Sequence, residues 1–162
     1  MVLTDNFGIM LAGLFTTPLD APSTITGLKD ITGSIETIQV KGVFTSNANF
    51  NQVMLNQIQV GKGDTPPNSS NFEIESPFTN GGAEDNRNNI GNGGLDKPLG
   101  KILYGAQINP TAGSGSIREV CYFLRMRNSS SVDKTFLMIR NVIPLVGFIA
   151  GQAINIDVEV FY

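Results

Sequence analysis

With no histidine and a single cysteine, the acid–base chemistry left to weigh in this chain is that of paired carboxylates. The chain has 14 Asp and Glu, no His, and one Cys, Cys121. Without histidine, Ser-His-Asp and Cys-His nucleophilic machinery and imidazole metal ligation are excluded together. Cys121 has no base partner, and one thiol with no imidazole leaves nothing for a zinc site. Paired carboxylates are what a glycosidase uses, and three pairs exist: Glu73 with Glu75, Glu84 with Asp85, and Asp157 with Glu159. The first and last have i, i+2 spacing, which puts both groups on one face of a strand. Asp157 and Glu159 alternate with Val158 and Val160, so a solvated strand face accounts for them. Glu84-Asp85 sits in a glycine- and asparagine-rich run where oxygens suit calcium, but the spacing is not that of an EF-hand. Gly61-Lys62-Gly63-Asp64-Thr65 looks like a phosphate loop, yet it lacks the G-x-x-x-x-G-K-[ST] order, and Pro66-Pro67 blocks the helix whose amides would hold phosphate. A tight turn leaving a strand is expected there. No catalytic, metal-binding or cofactor-binding residue is assigned, and no enzyme activity is expected.

The bulk composition points the same way. The chain is 162 residues long, enough for one domain with its own core. Only 15% of residues are charged, against roughly 25% in ordinary soluble domains. Its polar cover must therefore come from Asn, Ser, Thr, Gln and Gly, which are solvated but repel one another weakly. Such a cover suits a protein that sits beside many copies of itself. Net charge is −3, and Arg118, Arg125 and Arg127 are split by apolar residues. Nucleic-acid binding needs clustered Lys and Arg, so it is not expected. Cys121 lies in an apolar run and reads as a buried, inert thiol. Met1 to Asp5 lacks the basic start of a signal peptide, and no apolar run reaches the roughly 18 residues of a membrane span.

Two periodicities divide the chain. Phe7, Met10, Leu11 and Leu14 follow helical spacing behind Thr4-Asp5, which can cap the first turn, and Pro18 and Pro22 end the segment. Residues 1–20 thus read as a short helix or arm. From Ser23 the period becomes two, with strands over Ile25–Ile31, Ile35–Val43, Val53–Val60, Lys101–Ile108, Ile117–Arg127, Lys134–Val142 and Ile154–Val160. Thr32-Gly33 and Ala150-Gly151-Gln152 are turns. On Ile117–Arg127, Val120, Tyr122, Leu124 and Met126 share one face, while Glu119, Cys121, Phe123, Arg125 and Arg127 share the other. Gly61 to Gly100 holds turn residues repeated too often for regular structure and is expected to be one long Gly/Asn-rich loop. The whole, residues 1–162, is expected to be a single all-β domain, an antiparallel β-sandwich of jelly-roll or Ig-like type.

Several short motifs have a familiar order. Val60-Gly61-Lys62-Gly63-Asp64-Thr65-Pro66-Pro67 is followed by Glu119-Val120-Cys121, then Phe136-Leu137-Met138-Ile139-Arg140, then Ala150-Gly151-Gln152-Ala153-Ile154. Over residues 53–162 the chain resembles small β-sandwich virion proteins of tailed bacteriophages. Their strands leave through a G-x-G-x-T-x-P turn and continue with an E-x-G-hydrophobic strand, an apolar strand ending in arginine and an A-G-Q turn. Cys121 stands where the family has glycine. Gly61 and Gly63 are expected to permit backbone angles that other residues resist.

The resemblance implies a structural virion component that decorates a capsid, forms a head fibre, or sits at a tail or vertex. It implies homo-oligomers, a trimer first. The partners would be other copies of the chain and major capsid or other virion proteins. Candidate subunit-contact residues are Phe7, Leu11 and Phe15 on the N-terminal segment and Ile90, Leu95 and Leu99, the apolar anchors in the loop from Thr79 to Gly100. The alternative is a tail or fibre module that binds a host receptor or glycan. Three tyrosines and no tryptophan offer little for sugars to stack on, which favours the first reading.

Overall fold

The structure, a computed structural model, describes residues 1–16, 23–40, 53–77, 88–89, 91–96, 101–108, 114–149 and 151–161. They form a mostly antiparallel β-sheet protein with one short helix. The elements are β1 (Val2–Leu3), α1 (Asp5–Thr16), β2 (Ser23–Lys29), β3 (Ile35–Val40), β4 (Val53–Gly61), β5 (Asn88–Asn89), β6 (Gly91–Asp96), β7 (Lys101–Ile108), β8 (Ser114–Arg127), β9 (Asp133–Ile149) and β10 (Ile154–Phe161). A five-stranded sheet runs β1-β9-β8-β4-β5, a three-stranded one β10-β7-β6, and β2 pairs with β3.

The hairpin β8–β9 is the spine, and its turn is built by one asparagine. Asn128 Oδ1 accepts from the amides of Ser130 and Val132, and this holds Ser131 at a φ of 64°. Pairing runs Tyr122 to Ile139 and then Phe123 to Leu137, so Met138 is an extra residue in β9. Phe136 to Arg140 are all buried, because both faces of the sheet are covered here. On one face Met10, Ile25, Leu28 and Ile38, from α1, β2 and β3, pack with Met126, Phe136, Met138 and Ile139. Further along, Ile154 and Ile156 of β10 pack against Val60, Ile117 and Phe148. On the other face Ile74 covers Cys121, Phe123 and Leu137. Cys121 is fully buried, as its apolar setting implied.

Polar side chains hold these parts in place. Asn6, on α1, accepts from Lys29 N–H and donates to the carbonyls of Lys29 and Leu137, joining helix, β2 and β9. The expected helix cap works differently. The Thr4 hydroxyl donates to Leu137 C=O at 2.6 Å, and it is the Thr4 carbonyl that receives the Phe7 and Gly8 amides. A strand carbonyl in reach outcompetes capping by the side chain. The turn at Thr32-Gly33 occurs, with Gly33 at a φ of 86°, and Asp30 closes it by accepting from Thr32 N–H, Thr32 Oγ1 and Ser34 N–H. Lys134 then bonds Asp30 at 3.1 Å and Glu36 at 2.5 Å, tying the β2–β3 hairpin to β9.

Three expectations are corrected. The stretch from Gly61 to Gly100 is not one irregular loop: β5 pairs with β4, and β6 pairs with β7 through Leu95–Ile102 and Asp96–Lys101. Ladder bonds belong to the backbone, so a neighbouring strand can recruit residues of poor β-propensity. Strand β9 does not stop at Val142 but continues through Pro144 to Ile149, with a register shift where the proline sits. Among the described residues the positive-φ glycines are Gly27, Gly33 and Gly151, and Gly61 and Gly63 are not among them. They serve close approach instead. A Cβ on Gly61 would lie 2.5 Å from Ser76 O, and one on Gly63 would lie 2.5 Å from Glu119 Oε2. Residues 17–22, with Pro18 and Pro22, and residues 41–43 fall outside the described residues.

Candidate functional site: an ion cluster beneath the glycine turn

Strand β8 carries Glu119 and β9 carries Arg140, each amid apolar neighbours on the face that residues 62–77 cover. Glu119 is 0% exposed and Arg140 2%. Arg140 Nε donates to Glu119 Oε1 at 2.6 Å. One terminal nitrogen reaches Glu75 Oε2 at 2.6 Å and the other Asn71 Oδ1 at 3.2 Å. Glu119 also accepts from Glu75 N–H at 3.0 Å and Ser76 N–H at 3.4 Å. Glu75 in turn accepts from the Thr65 hydroxyl and amide.

The electrostatics follow from this geometry. The Thr65 hydroxyl holds the Glu75 carboxyl below its ordinary value against partial desolvation, helped by the Thr65 amide and Arg140. Burial works against the Arg140 charge, but hydrogen bonding and attraction to Glu119 outweigh it and raise its value. Burial and the adjacent Glu119 push the Cys121 thiol well up, and its Sγ lies 3.6 Å from Glu119 Oε1. A protonated, buried thiol is a poor nucleophile. With Glu119 sealed from solvent and every Arg140 nitrogen engaged, the cluster fastens chain segments together. The turn at Gly61–Thr65 lies against carboxylates and not against an anion-binding nest, so it does not have the electrostatics of a phosphate site.

Sequence reasoning singled out the Gly61–Pro67 turn, the Glu119 strand and the Arg140 strand as separate motifs. The structure brings all three to one point. A signal was present: Glu119 shares its strand face with Cys121 and Phe123, and Arg140 ends the run Phe136–Ile139. An isolated charge on a buried strand face needs an opposite charge to meet it.

Of the expected subunit-contact residues, Phe7 is half-buried against the first core cluster and Leu11 is 44% exposed on α1. Phe15 lies on α1 and Leu95 on β6, with side chains outside the described residues, as are Ile90 and Leu99 altogether. Of the carboxylate pairs, Glu73 is exposed and apart from the cluster Glu75 joins. Glu84 and Asp85 fall outside the described residues, and Asp157 and Glu159 pair in β10 with Gly105 and Leu103 of β7.

A second surface was not anticipated. Leu145 is 56% exposed, Val146 42% and Ile149 61%, all on the outer half of β9. Residues 141–149 contain no charge. Among the described residues, β1 covers the outer edge of β9 only at Ile139 and Arg140. A cleft of about 200 Å³ opens between α1, Lys29 and Ser69–Phe72. The Lys29 ammonium sits 3.9 Å from the centre of the Phe72 ring there, so one ring face is taken. Comparison with protein-family models, curated proteins and solved structures found no match to this chain.

Proposed function

We propose that this chain is a non-enzymatic structural component of a bacteriophage virion, a capsid decoration or auxiliary head protein that acts by adhesion to other copies of itself and to neighbouring virion proteins. The observation that carries this reading is the outer half of β9, a strand edge with exposed Leu145, Val146 and Ile149 and no charge from 141 to 149. Exposed apolar edges are templates for another chain, and soluble proteins blunt them when no partner is intended. The low charge of the whole sequence lets identical surfaces meet without strong repulsion. We infer further that the sheets stack as a two-layer sandwich, supported by core clusters that join β10 to β4 and β8, and α1, β2 and β3 to β8 and β9.

Light scattering on the purified protein tests the adhesion. An oligomer is expected, a trimer first, and Leu145→Asp with Ile149→Asp is expected to dissociate it without changing the far-ultraviolet circular dichroism. A monomer at every concentration, or absence of the chain from purified particles by mass spectrometry, sinks the reading.

A further inference from the structure

Residues 62–77 leave β4 and return to the place they left. Lys62 N–H donates to Ser76 C=O at 2.8 Å, and Gly61 bridges to Pro77. A segment with joined ends is an Ω-loop, able to move as one body without disturbing the strands at its neck. Internally it is well tied. Asn68 Oδ1 accepts from the Ser70 amide and hydroxyl, Asn71 Oδ1 accepts from Asn68 N–H at 2.7 Å, and Thr65 donates twice to Glu75.

Its attachments to the rest of the protein are of two kinds. At the rim, Asp5 N–H donates to Ser69 C=O at 2.7 Å, Lys29 sits over Phe72, and Arg118 meets Asp64 in an exposed pair. At the centre, Arg140 holds Asn71 and Glu75 while Glu119 accepts the amides of Glu75 and Ser76. The segment sends one large apolar side chain, Ile74, into the buried cluster beneath it. Hydrogen bonds to charged groups are therefore the larger part of what closes it.

We propose that residues 62–77 are a cover over one face of the five-stranded sheet that opens as a unit, with Arg140, Glu119 and Glu75 as its clasp. Opening bares Cys121, Phe123 and Leu137 and brings water to Glu119 and Arg140. This is a conditional surface, separate from the exposed residues on the outer half of β9. Glu75 is the clasp member open to titration, since its side chain is 38% exposed while Glu119 and Arg140 are buried. The charged groups that face it are Arg140 from β9 and Glu119 from β8, with Asp64, Arg118 and Lys29 at the rim. Its folded value is depressed, so closure is strongest above the usual glutamate value of 4.5 and weakens as pH falls through the folded value. Acid opens the cover.

Cys121, the only cysteine and 0% exposed, reports the opening. The experiment measures its labelling by 4,4′-dithiodipyridine, normalised at each pH to a free cysteine peptide, alongside amide exchange by mass spectrometry. The amides of residues 62–77 are expected to exchange together and faster than those of β8 and β9. Glu75→Gln is expected to raise labelling about tenfold, equivalent to about 1.4 kcal/mol, while the thermal midpoint barely moves. Lowering the pH below 4.5, through the depressed Glu75 value, is expected to speed labelling of the wild type and much less of Glu75→Gln. Labelling at the global unfolding rate in both proteins overturns the proposal. So does loss of the whole fold in Glu75→Gln, because the clasp would then belong to the core and not to a separable cover.

Discussion

Strand β9 is two regions joined end to end. From Phe136 to Arg140 it is covered on both faces, and Phe136, Leu137, Met138, Ile139 and Arg140 are all buried. From Asn141 to Ile149 the same strand bears exposed Leu145, Val146 and Ile149, with Phe148 buried in the second core cluster and Ile143 packed against it. Hydrophobicity does not separate the halves, since both are rich in aliphatic residues. What differs is what lies above and below. α1, the β2–β3 hairpin and residues 62–77 cover the first half, while the outer edge of the second meets no strand among the described residues. One strand paired with β8, across two register shifts, thus packs into the core at one end and carries exposed apolar side chains at the other.

Cutting into the covered half should hurt most. Phe136→Ala removes a ring that is 0% exposed and is expected to cost about 3–5 kcal/mol in urea unfolding. A loss below about 1 kcal/mol would mean that the face is not sealed. Gly63→Ala comes next, because its methyl must share space with Glu119 and Glu75 carboxylate oxygens. A loss of about 1–3 kcal/mol is expected, and an unchanged midpoint would show that the turn shifts freely.

Acid is expected to act on the covered half through the β2–β3 tie. Desolvation would raise Asp30, but the Thr32 hydroxyl, Lys134 and the Ser34 and Thr32 amides outweigh it and lower its value, and Lys134 and Asn128 lower Glu36. Folded values below the ordinary 3.8 and 4.5 mean full stabilisation at neutral pH and progressive loss as pH falls through them. A Lys134→Met variant should flatten the decline in thermal midpoint between pH 6 and pH 3, roughly the carboxylate window. An equally steep decline breaks the assignment. The smallest effect is expected in the open half, where Ile149→Ala should leave monomer stability within about 0.5 kcal/mol while weakening association.

Much of the fold was legible because period-two alternation is a direct record of which side meets water. The strand Lys101–Ile108 has the bounds its pattern implies, and Ile154–Phe161 differs from its pattern by one residue. Legibility failed where alternation carries no information. Gly91 to Asp96 pairs with β7, yet with three glycines in six residues its composition does not announce a strand. Residues 136–140 are buried on both faces, so their apolar run could be read as a strand but not as a doubly covered one. The candidate site failed in another way. Each of its charges was visible, but Glu75, Glu119 and Arg140 are far apart along the chain, and the pairing of β8 with β9 sets their meeting.

The residues alone determined that no imidazole chemistry is available and where alternating strands form, since both depend on side-chain identity and on spacing over a few positions. Tertiary structure decided that two glycines must yield room to a buried carboxylate, that a poor strand-former joins a sheet, and that Leu145, Val146 and Ile149 of β9 are exposed while Phe136 to Arg140 are buried. These depend on which distant surfaces come together, and local sequence does not encode that.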